Sequence, residues 1–289
     1  MKPLRGTLTA LITPFRNGRV DYAALEAHVE RQIAAGVEGL VPCGTTGESP
    51  TLSEDEQRDI VTCVVKTTRG RVPVVAGSGS NNTARALEMA RRNERCGADA
   101  LLVVAPYYNR PSQEGLFQHF SAISGATALP IMLYNIPGRC GVEISVDTIK
   151  RLIEAHRNIV AVKHATGSVA GAVDLAAECE IEILAGDDLL TLPLMSLGAV
   201  GVVSAISNLV PAAMKRLTAA AAAGDLAAAR AAHEQLYPLM KTLGGLDTNP
   251  IPVKTACALK GWCAEEFRLP LCPLPPEKRA VVQRLAAAT

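Results

Sequence analysis

Net charge, long apolar runs and paired cysteine motifs are all missing from this chain, and each absence excludes a class of function. The 289 residues include 29 basic and 28 acidic side chains, which leaves a net charge of +1. A balance so close to zero lacks the electrostatic footprint of a nucleic-acid-binding protein. No apolar run approaches the roughly 18 residues that a membrane-spanning helix needs. The sequence therefore predicts neither a nucleic-acid partner nor a membrane partner.

Targeting and metal-binding signals are missing as well. Residues 1–6 contain no apolar segment of the kind that a signal peptide requires, which favours a soluble, cytoplasmic protein. The eight cysteines are scattered, with no Cys-x-x-Cys pair and no Cys/His cluster at metal-binding spacing. In a chain of this length that pattern favours reduced, mostly buried thiols over disulfides or a bound metal.

What the chain does contain is a repeated alternation of short apolar runs and helical patterns. Eight runs are apolar at nearly every position, as expected of strands buried on both faces: 8–12, 39–43, 72–76, 100–104, 130–134, 159–162, 181–185 and 200–203. Helical patterns separate these runs at 22–35, 83–95, 114–123, 146–154 and 169–178. A further helix is expected to begin after Ser53, which forms a capping box with Glu56.

This alternation predicts a (β/α)8 TIM barrel, since the units recur about every 25 to 30 residues. An open doubly wound sheet is the alternative, but it normally carries a glycine-rich fingerprint after its first strand. Thr13-Pro14-Phe15 is unlike such a fingerprint. After residue 224 the composition changes to alanine-rich helical patterns with proline breaks. We therefore expect a catalytic barrel over 1–224 and a C-terminal helical domain over 225–289.

Lys163 directly follows the apolar run 159–162 and precedes the turn-like sequence His164-Ala165-Thr166-Gly167. At the mouth of a water-poor core the charged form of an amine is disfavoured. A neutral amine can condense with a ketone to form a Schiff base. A lysine at a strand end is by itself more often a solvated charge than a nucleophile. The residues at the neighbouring strand ends are needed to distinguish these two interpretations.

The other predicted strand ends carry polar residues suited to carboxylate and proton chemistry, at the end of the barrel where active sites lie. The turn 44–48 could be a tight turn with helix-capping threonines, or its hydroxyls could hold a small carboxylate. Of only five tyrosines, Tyr107, Tyr108 and Tyr134 lie at these ends. Tyr134, one strand from the lysine, could transfer protons during imine formation. Arg139 suits a second carboxylate.

Asp187 and Asp188 follow the seventh predicted strand and raise the question of a metal ion. Neither a clustered histidine nor a further carboxylate accompanies them. A turn or a helix cap is therefore the favoured interpretation, and the sequence predicts no metal site.

Together these motifs resemble the dihydrodipicolinate synthase family, which belongs to the pyruvate-dependent class I aldolase superfamily. Thr45-Thr46-Gly47-Glu48, the segment 134–139 and Lys163 ahead of Ala165-Thr166-Gly167 carry the resemblance, which covers essentially the whole chain. It implies a lyase that condenses pyruvate with L-aspartate 4-semialdehyde in lysine and diaminopimelate biosynthesis. It also implies a TIM barrel with a helical extension, and a reaction that needs no cofactor.

The resemblance assigns catalytic roles to four residues. Lys163 would form the Schiff base with pyruvate, and Thr45, Tyr134 and Tyr108 would form a proton relay. Tyr108 would reach across a subunit interface in a homotetramer built as a dimer of dimers.

The resemblance also assigns substrate-binding roles. Arg139 would bind the carboxylate of the semialdehyde, while Thr46 and the backbone around Gly186 and Val203 would position pyruvate and its adduct. One departure lies beside the nucleophile, because His164 stands where many relatives carry a glutamate. We expect a structural role for this histidine.

A second departure concerns feedback regulation. In lysine-inhibited members of the family, a pocket at the subunit interface uses histidines and a glutamate. Asn81 and Tyr107 match that pocket, but Glu54, Gln57 and Arg85 occupy its other positions. Because Arg85 replaces an acidic partner for the lysine amine, we expect weak or absent inhibition by lysine.

Other functions have less support. N-acetylneuraminate lyase or a 2-keto-3-deoxy sugar acid aldolase of the same superfamily is the main alternative, but Arg139 favours a short acidic aldehyde. A non-catalytic barrel that merely binds a keto acid would have lost the lysine or the relay. A phosphate-binding isomerase would need a glycine-rich grip after the last two strands, which is not evident.

Overall fold

Eight parallel strands form the centre of the protein in a computed structural model that describes residues 2–289. They are β1 (Gly6–Ala10), β2 (Gly39–Val41), β3 (Val75–Gly77), β4 (Ala100–Val104), β5 (Ile131–Asn135), β6 (Ile159–His164), β7 (Glu182–Ala185) and β8 (Gly201–Ser204). Their order in the sheet is β2-β1-β8-β7-β6-β5-β4-β3. A parallel bridge between Leu40 and Val74 joins the two end strands. The predicted TIM barrel is confirmed.

A helix follows each strand and covers the outside of the sheet. These helices are α1 (Tyr22–Ala34), α2 (Glu54–Thr68), α3 (Thr83–Arg95), α4 (Gln113–Ser124), α5 (Val146–Ala155), α6 (Val169–Glu178), α7 (Thr191–Met195) and α8 (Pro211–Ala222). A short helix, Pro137–Cys140, lies between β5 and α5. The predicted capping box is confirmed, since Ser53 and Glu56 exchange side-chain to backbone hydrogen bonds.

Three more helices complete the C-terminal part: α9 (Leu226–Gly245), α10 (Ile251–Leu259) and α11 (Pro276–Ala287). Asp225 caps α9 by accepting a hydrogen bond from the Ala228 amide. Leu236 and Leu239 pack into the same apolar cluster as the outer faces of the barrel strands. The division into a barrel at 1–224 and a separate helical domain at 225–289 stays a prediction. None of the helices within residues 2–289 has the length and apolar content to cross a membrane.

Side chains along the strands alternate between the barrel interior and the helix layer, which decides where each functional group points. Met132 and Ala161 belong to the interior cluster. Leu133 and Val162 belong to the outer cluster beneath the helices. Lys163 follows Val162 by one residue, so its side chain enters the interior of the barrel.

Several predicted strand boundaries differ from the structure, for example 39–43 against Gly39–Val41 and 72–76 against Val75–Gly77, and two of the differences have identifiable physical reasons. The apolar run 8–12 was expected to be a strand, but β1 ends at Ala10 because Ile12 packs against Val253 and Cys257 of α10. The turn after the lysine was expected to begin at His164. That residue instead pairs with neighbouring strands as the last residue of β6, and the turn begins one residue later.

All eight cysteines are free, as the sequence predicted, and their burial varies. Four are buried: Cys43, Cys140, Cys179 and Cys257. Burial raises the pKa of the Cys43 thiol to about 12, which keeps it protonated and unreactive near neutral pH.

Candidate active site

Lys163 lies near the C-terminal end of β6 with only 6% of its surface exposed. It is in register with Tyr134 on β5. The lysine Nζ lies 4.1 Å from the centroid of the Tyr134 ring. The two interior faces thus place a buried amine against a phenol ring.

Gly186, directly after β7, makes room for this lysine. A Cβ at position 186 would lie 3.1 Å from both Cγ and Cε of Lys163, and 2.6 Å from the Cβ of Ala165. The Gly186 amide donates a hydrogen bond of 2.8 Å to the His164 carbonyl, which fixes the backbone at this distance. Glycine suits this position because a side chain would overlap with Ala165 and crowd the lysine.

A cavity of about 200 Å³ opens above the lysine at the C-terminal ends of the strands. Its wall contains every predicted site residue except Tyr108: Thr45, Thr46, Tyr134, Arg139, Lys163, Gly186 and Val203. Residues from five different strand ends therefore converge on one space, as the TIM-barrel rule predicts. The volume suits small organic acids.

Thr45 and Thr46 enter the cavity from a tight turn after β2. The turn is closed by hydrogen bonds from the Gly47 amide to the Gly44 carbonyl and from the Glu48 amide to the Thr45 carbonyl, each 3.1 Å. Thr46 is buried. The structure contains both features that the sequence left open, a tight turn and a pair of hydroxyl groups facing a cavity.

Arg139 reaches the cavity from the short helix after β5. Its guanidinium donates to the backbone carbonyl of Asn249 at 3.1 Å. The side-chain amide of Asn249 donates to the Thr46 hydroxyl oxygen at 3.0 Å. Sequence reasoning missed Asn249, because it lies in the C-terminal segment and not at the end of a barrel strand. The asparagine-proline turn ahead of α10 gave no chemical signal of its own.

Tyr108 is the predicted residue that the structure leaves outside this cavity. The residue is 90% exposed, and its φ of +73° lies in the left-handed region of the β4–α4 loop. Its neighbour Tyr107 faces a second cavity of about 340 Å³ that shares Thr45 and Tyr134 with the first. A phenol held out on the surface cannot serve the site of its own chain in this arrangement.

The second cavity contains three of the five residues that the sequence compared with a regulatory pocket. Gln57, Arg85 and Tyr107 all line it. The Arg85 guanidinium lies 3.5 Å from a carboxylate oxygen of Glu54. Arg92 donates to the Gln57 side chain at 2.9 Å, which places a second guanidinium beside this cavity.

Asp187 and Asp188 act as caps, as the sequence favoured. Asp187 accepts a hydrogen bond from the Leu189 amide. Asp188 accepts from the amides of Ala205 and Ile206, each at 3.1 Å, and burial raises its pKa above the usual range. Within residues 2–289 no group of three or more histidine, cysteine, aspartate and glutamate side chains is arranged to hold a metal ion.

His164 holds the loop after β6 in place. Its Nε2 lies 2.9 Å from both the Ser168 carbonyl and the Thr166 hydroxyl. Because side chains alternate along the strand, the imidazole points away from the cavity that Lys163 enters. These contacts give the histidine the structural role expected from the sequence.

Comparison with known proteins gives one consistent result. A sequence profile described as the Dihydrodipicolinate synthetase family matches residues 3–289. The chain is 48% identical to 4-hydroxy-tetrahydrodipicolinate synthase of Geobacter sulfurreducens, over 96% of this chain and 95% of the relative. The dihydrodipicolinate synthase structure from Aquifex aeolicus matches with a TM-score of 0.97 at 44% identity, over 99% of this chain and 98% of that one. The 4-hydroxy-tetrahydrodipicolinate synthase structure from Methylacidiphilum fumariolicum SolV matches with a TM-score of 0.96 at 49% identity, over 99% of this chain and 95% of that one.

Proposed function

The chain belongs to the dihydrodipicolinate synthetase family and is a lyase with 4-hydroxy-tetrahydrodipicolinate synthase activity, and from this we propose how its own residues carry the reaction. Enzymes of this family use pyruvate and L-aspartate 4-semialdehyde, in the biosynthesis of lysine and diaminopimelate. The observation that carries the residue assignments is the buried Lys163 amine at the base of a small cavity lined with hydroxyl groups.

Lys163 is the nucleophile in this proposal. Its amine adds to the keto carbon of pyruvate, the proton relay supplies a proton, and water leaves, which gives a protonated imine. The imine accepts electron density, so a proton leaves the pyruvate methyl group and an enamine forms. The enamine carbon then attacks the aldehyde carbon of the semialdehyde. Finally the substrate amine displaces the lysine as the ring closes, and the free enzyme returns.

Thr45, Tyr134 and Tyr108 are the proton relay. Each step above moves a proton on or off an oxygen, a nitrogen or the pyruvate methyl carbon, and a hydroxyl group can both donate and accept a proton. Tyr134 supports this role through its position beside the Lys163 amine. Thr45 supports the same role because it lines both cavities together with Tyr134.

Two residues bind the carboxylates. Thr46, with the backbone around Gly186 and Val203, positions pyruvate and its adduct close to the lysine. Arg139 binds the carboxylate of the semialdehyde, because its guanidinium offers paired donors at the rim of the same cavity. The Arg139 guanidinium favours a short acidic aldehyde over the longer sugar acids.

We propose a homotetramer built as a dimer of dimers, in which Tyr108 completes the relay of a partner subunit. The support is the exposed phenol itself, since a side chain that is 90% exposed cannot reach the Lys163 cavity of its own chain. Sedimentation velocity measures the assembly state. A stable monomer with full activity would contradict this arrangement. A cytoplasmic location likewise stays a proposal, tested by cell fractionation.

The lysine assignment is tested by borohydride trapping with pyruvate and peptide mass spectrometry, followed by a coupled assay with aspartate semialdehyde. We expect a reduced pyruvate adduct on Lys163 and turnover of both substrates. Lys163→Arg is the matched variant, because it keeps a positive charge but cannot form the imine. An adduct on another residue, or none, would overturn the assignment. An adduct without turnover would favour a sugar-acid aldolase.

A further inference from the structure

The turn that carries Thr45 and Thr46 ends in a buried ion pair with the C-terminal part of the chain. Glu48 Oε1 lies 2.6 Å from Lys254 Nζ on α10, and neither side chain is exposed to solvent. Glu48 Oε2 accepts a hydrogen bond of 3.2 Å from the Arg268 amide. The Lys254 ammonium also lies 4.1 Å from the Phe15 ring and 5.1 Å from the Phe267 ring. The Lys254 ammonium is therefore held in one place, because bulk solvent cannot reach it to replace Glu48 as its partner.

The backbone of Glu48 adopts a conformation that must be held from outside. Its φ is +55°, in the left-handed region that residues with a side chain adopt rarely. Such a conformation persists where the surrounding structure enforces it. Lys254 and the Arg268 amide supply that restraint through the two carboxylate oxygens, three residues after Thr45 and two after Thr46.

A second contact from the same segment reaches the turn directly. Asn249 donates from its side-chain amide to the Thr46 hydroxyl oxygen at 3.0 Å. Because the Thr46 hydroxyl accepts this bond, its own proton stays free to be donated elsewhere. In the proposed function it is donated to the carboxylate of bound pyruvate. The Asn249 carbonyl simultaneously accepts from Arg139 at 3.1 Å, so one residue contacts both carboxylate-binding side chains.

We propose that Asn249 and Lys254 are positioning residues, which orient the Thr45–Thr46 turn for pyruvate binding and set the spacing between Thr46 and Arg139. This inference rests on the proposed function of the cavity. Neither residue reacts with substrate. Asn249 fixes the direction of the Thr46 hydroxyl, and Lys254 fixes the backbone conformation at Glu48. In this proposal the active site therefore depends on the C-terminal segment that carries both residues.

The test compares Lys254→Met and Asn249→Ala with the wild-type enzyme. We expect a rise of about 10-fold or more in the pyruvate KM for Lys254→Met, with slower borohydride trapping at a fixed pyruvate concentration, and a rise of several-fold for Asn249→Ala. Lys215→Met is the control, because it makes the same change in a lysine–glutamate pair with Glu38, which is only partly buried and has no part in the turn. That variant should keep the wild-type KM.

A double-mutant cycle with Thr46→Val separates positioning from a merely structural role. If Lys254 and Asn249 act through Thr46, each substitution should change the pyruvate KM far less in the Thr46→Val background than in the wild type. Lower melting temperatures with an unchanged KM and trapping rate, or effects that multiply independently, would overturn the proposal. Asn249→Ala keeps the ion pair, so it still gives a result if Lys254→Met does not fold. Failure of the wild-type protein to trap pyruvate would instead overturn the proposed function.

Discussion

Replacing Gly186 with alanine tests how closely the nucleophile is fitted into the barrel. The new methyl group would lie 2.6 Å from the Ala165 Cβ and 3.1 Å from two carbons of Lys163, whereas carbon atoms normally approach to about 3.5 Å or more. Ala165 has no rotatable side chain with which to move away. Relief of the overlap therefore requires the backbone after β6, or the lysine itself, to shift by up to about 1 Å.

A displacement of that size near a reacting atom costs about 100-fold in rate, or roughly 2.7 kcal/mol of transition-state stabilisation. We also expect a loss of about 1–3 kcal/mol in the free energy of unfolding, because the site becomes overpacked. The assay is the rate of pyruvate trapping on Lys163, with the coupled turnover rate and urea unfolding measured on the same preparation.

Gly245→Ala is the control for this experiment, since a Cβ at that position at the end of α9 would meet no atom within 4 Å. It should leave trapping and turnover unchanged. Wild-type trapping rates in Gly186→Ala would refute the reasoning, because the lysine would then have tolerated the added methyl group. A lower free energy of unfolding with a wild-type trapping rate would show that the structure relieves the overlap without moving Lys163.

Three further predictions follow from other parts of the molecule. The hydrogen bonds from Arg268 lower the pKa of Glu56 from 4.5 to about 2, so the pair stabilises the fold above pH 4.5 and loses this contribution as the pH falls towards 2. Glu56→Gln should therefore lower the free energy of unfolding in urea by about 1–2 kcal/mol at pH 7, a value reduced for the partial exposure of the pair. At pH 3 the loss should be less than half as large. Equal losses at the two pH values would contradict the assignment. Tyr108→Phe should lower turnover at least about 10-fold with little change in melting temperature, since the lost hydroxyl is on an exposed side chain, and equal losses of both would count against the relay. Lysine should inhibit only above about 1 mM, because the Arg85 guanidinium repels its ammonium group, and an inhibition constant in the low micromolar to sub-millimolar range would contradict this.

The barrel was predictable because its strands and helices carry strong local signals. Helix α3 begins and ends where the periodicity placed it, and the strand that leads to Lys163 is apolar throughout. In a parallel barrel all strands end at the same face, so the order of elements along the chain already brings Thr45, Tyr134 and Lys163 together. Local pattern and topology were sufficient for most of the site.

The remainder depends on contacts between distant parts of the chain. Ile12 extends an apolar run beyond β1 because it packs against α10. The local sequence does not distinguish an apolar residue that contacts a distant helix from one that continues a strand. Asn249 enters the site through a turn in the C-terminal segment. Tyr108 is exposed in a loop where its own φ is +73°, and composition reveals neither feature. Such features require the packed structure.

The ion pair between Glu48 and Lys254 also has a consequence for the newly made protein. Its two members are 206 residues apart in the chain. At a synthesis rate of about 5–20 residues per second, the lysine follows the glutamate by roughly 10–40 seconds. The barrel strands can pair as they leave the ribosome, but during this interval the turn after β2 has no counter-charge. Under the proposed function, a nascent chain that already contains Lys163 has the nucleophile without the restraint on Glu48, and we expect activity only when the final helices have been translated and docked.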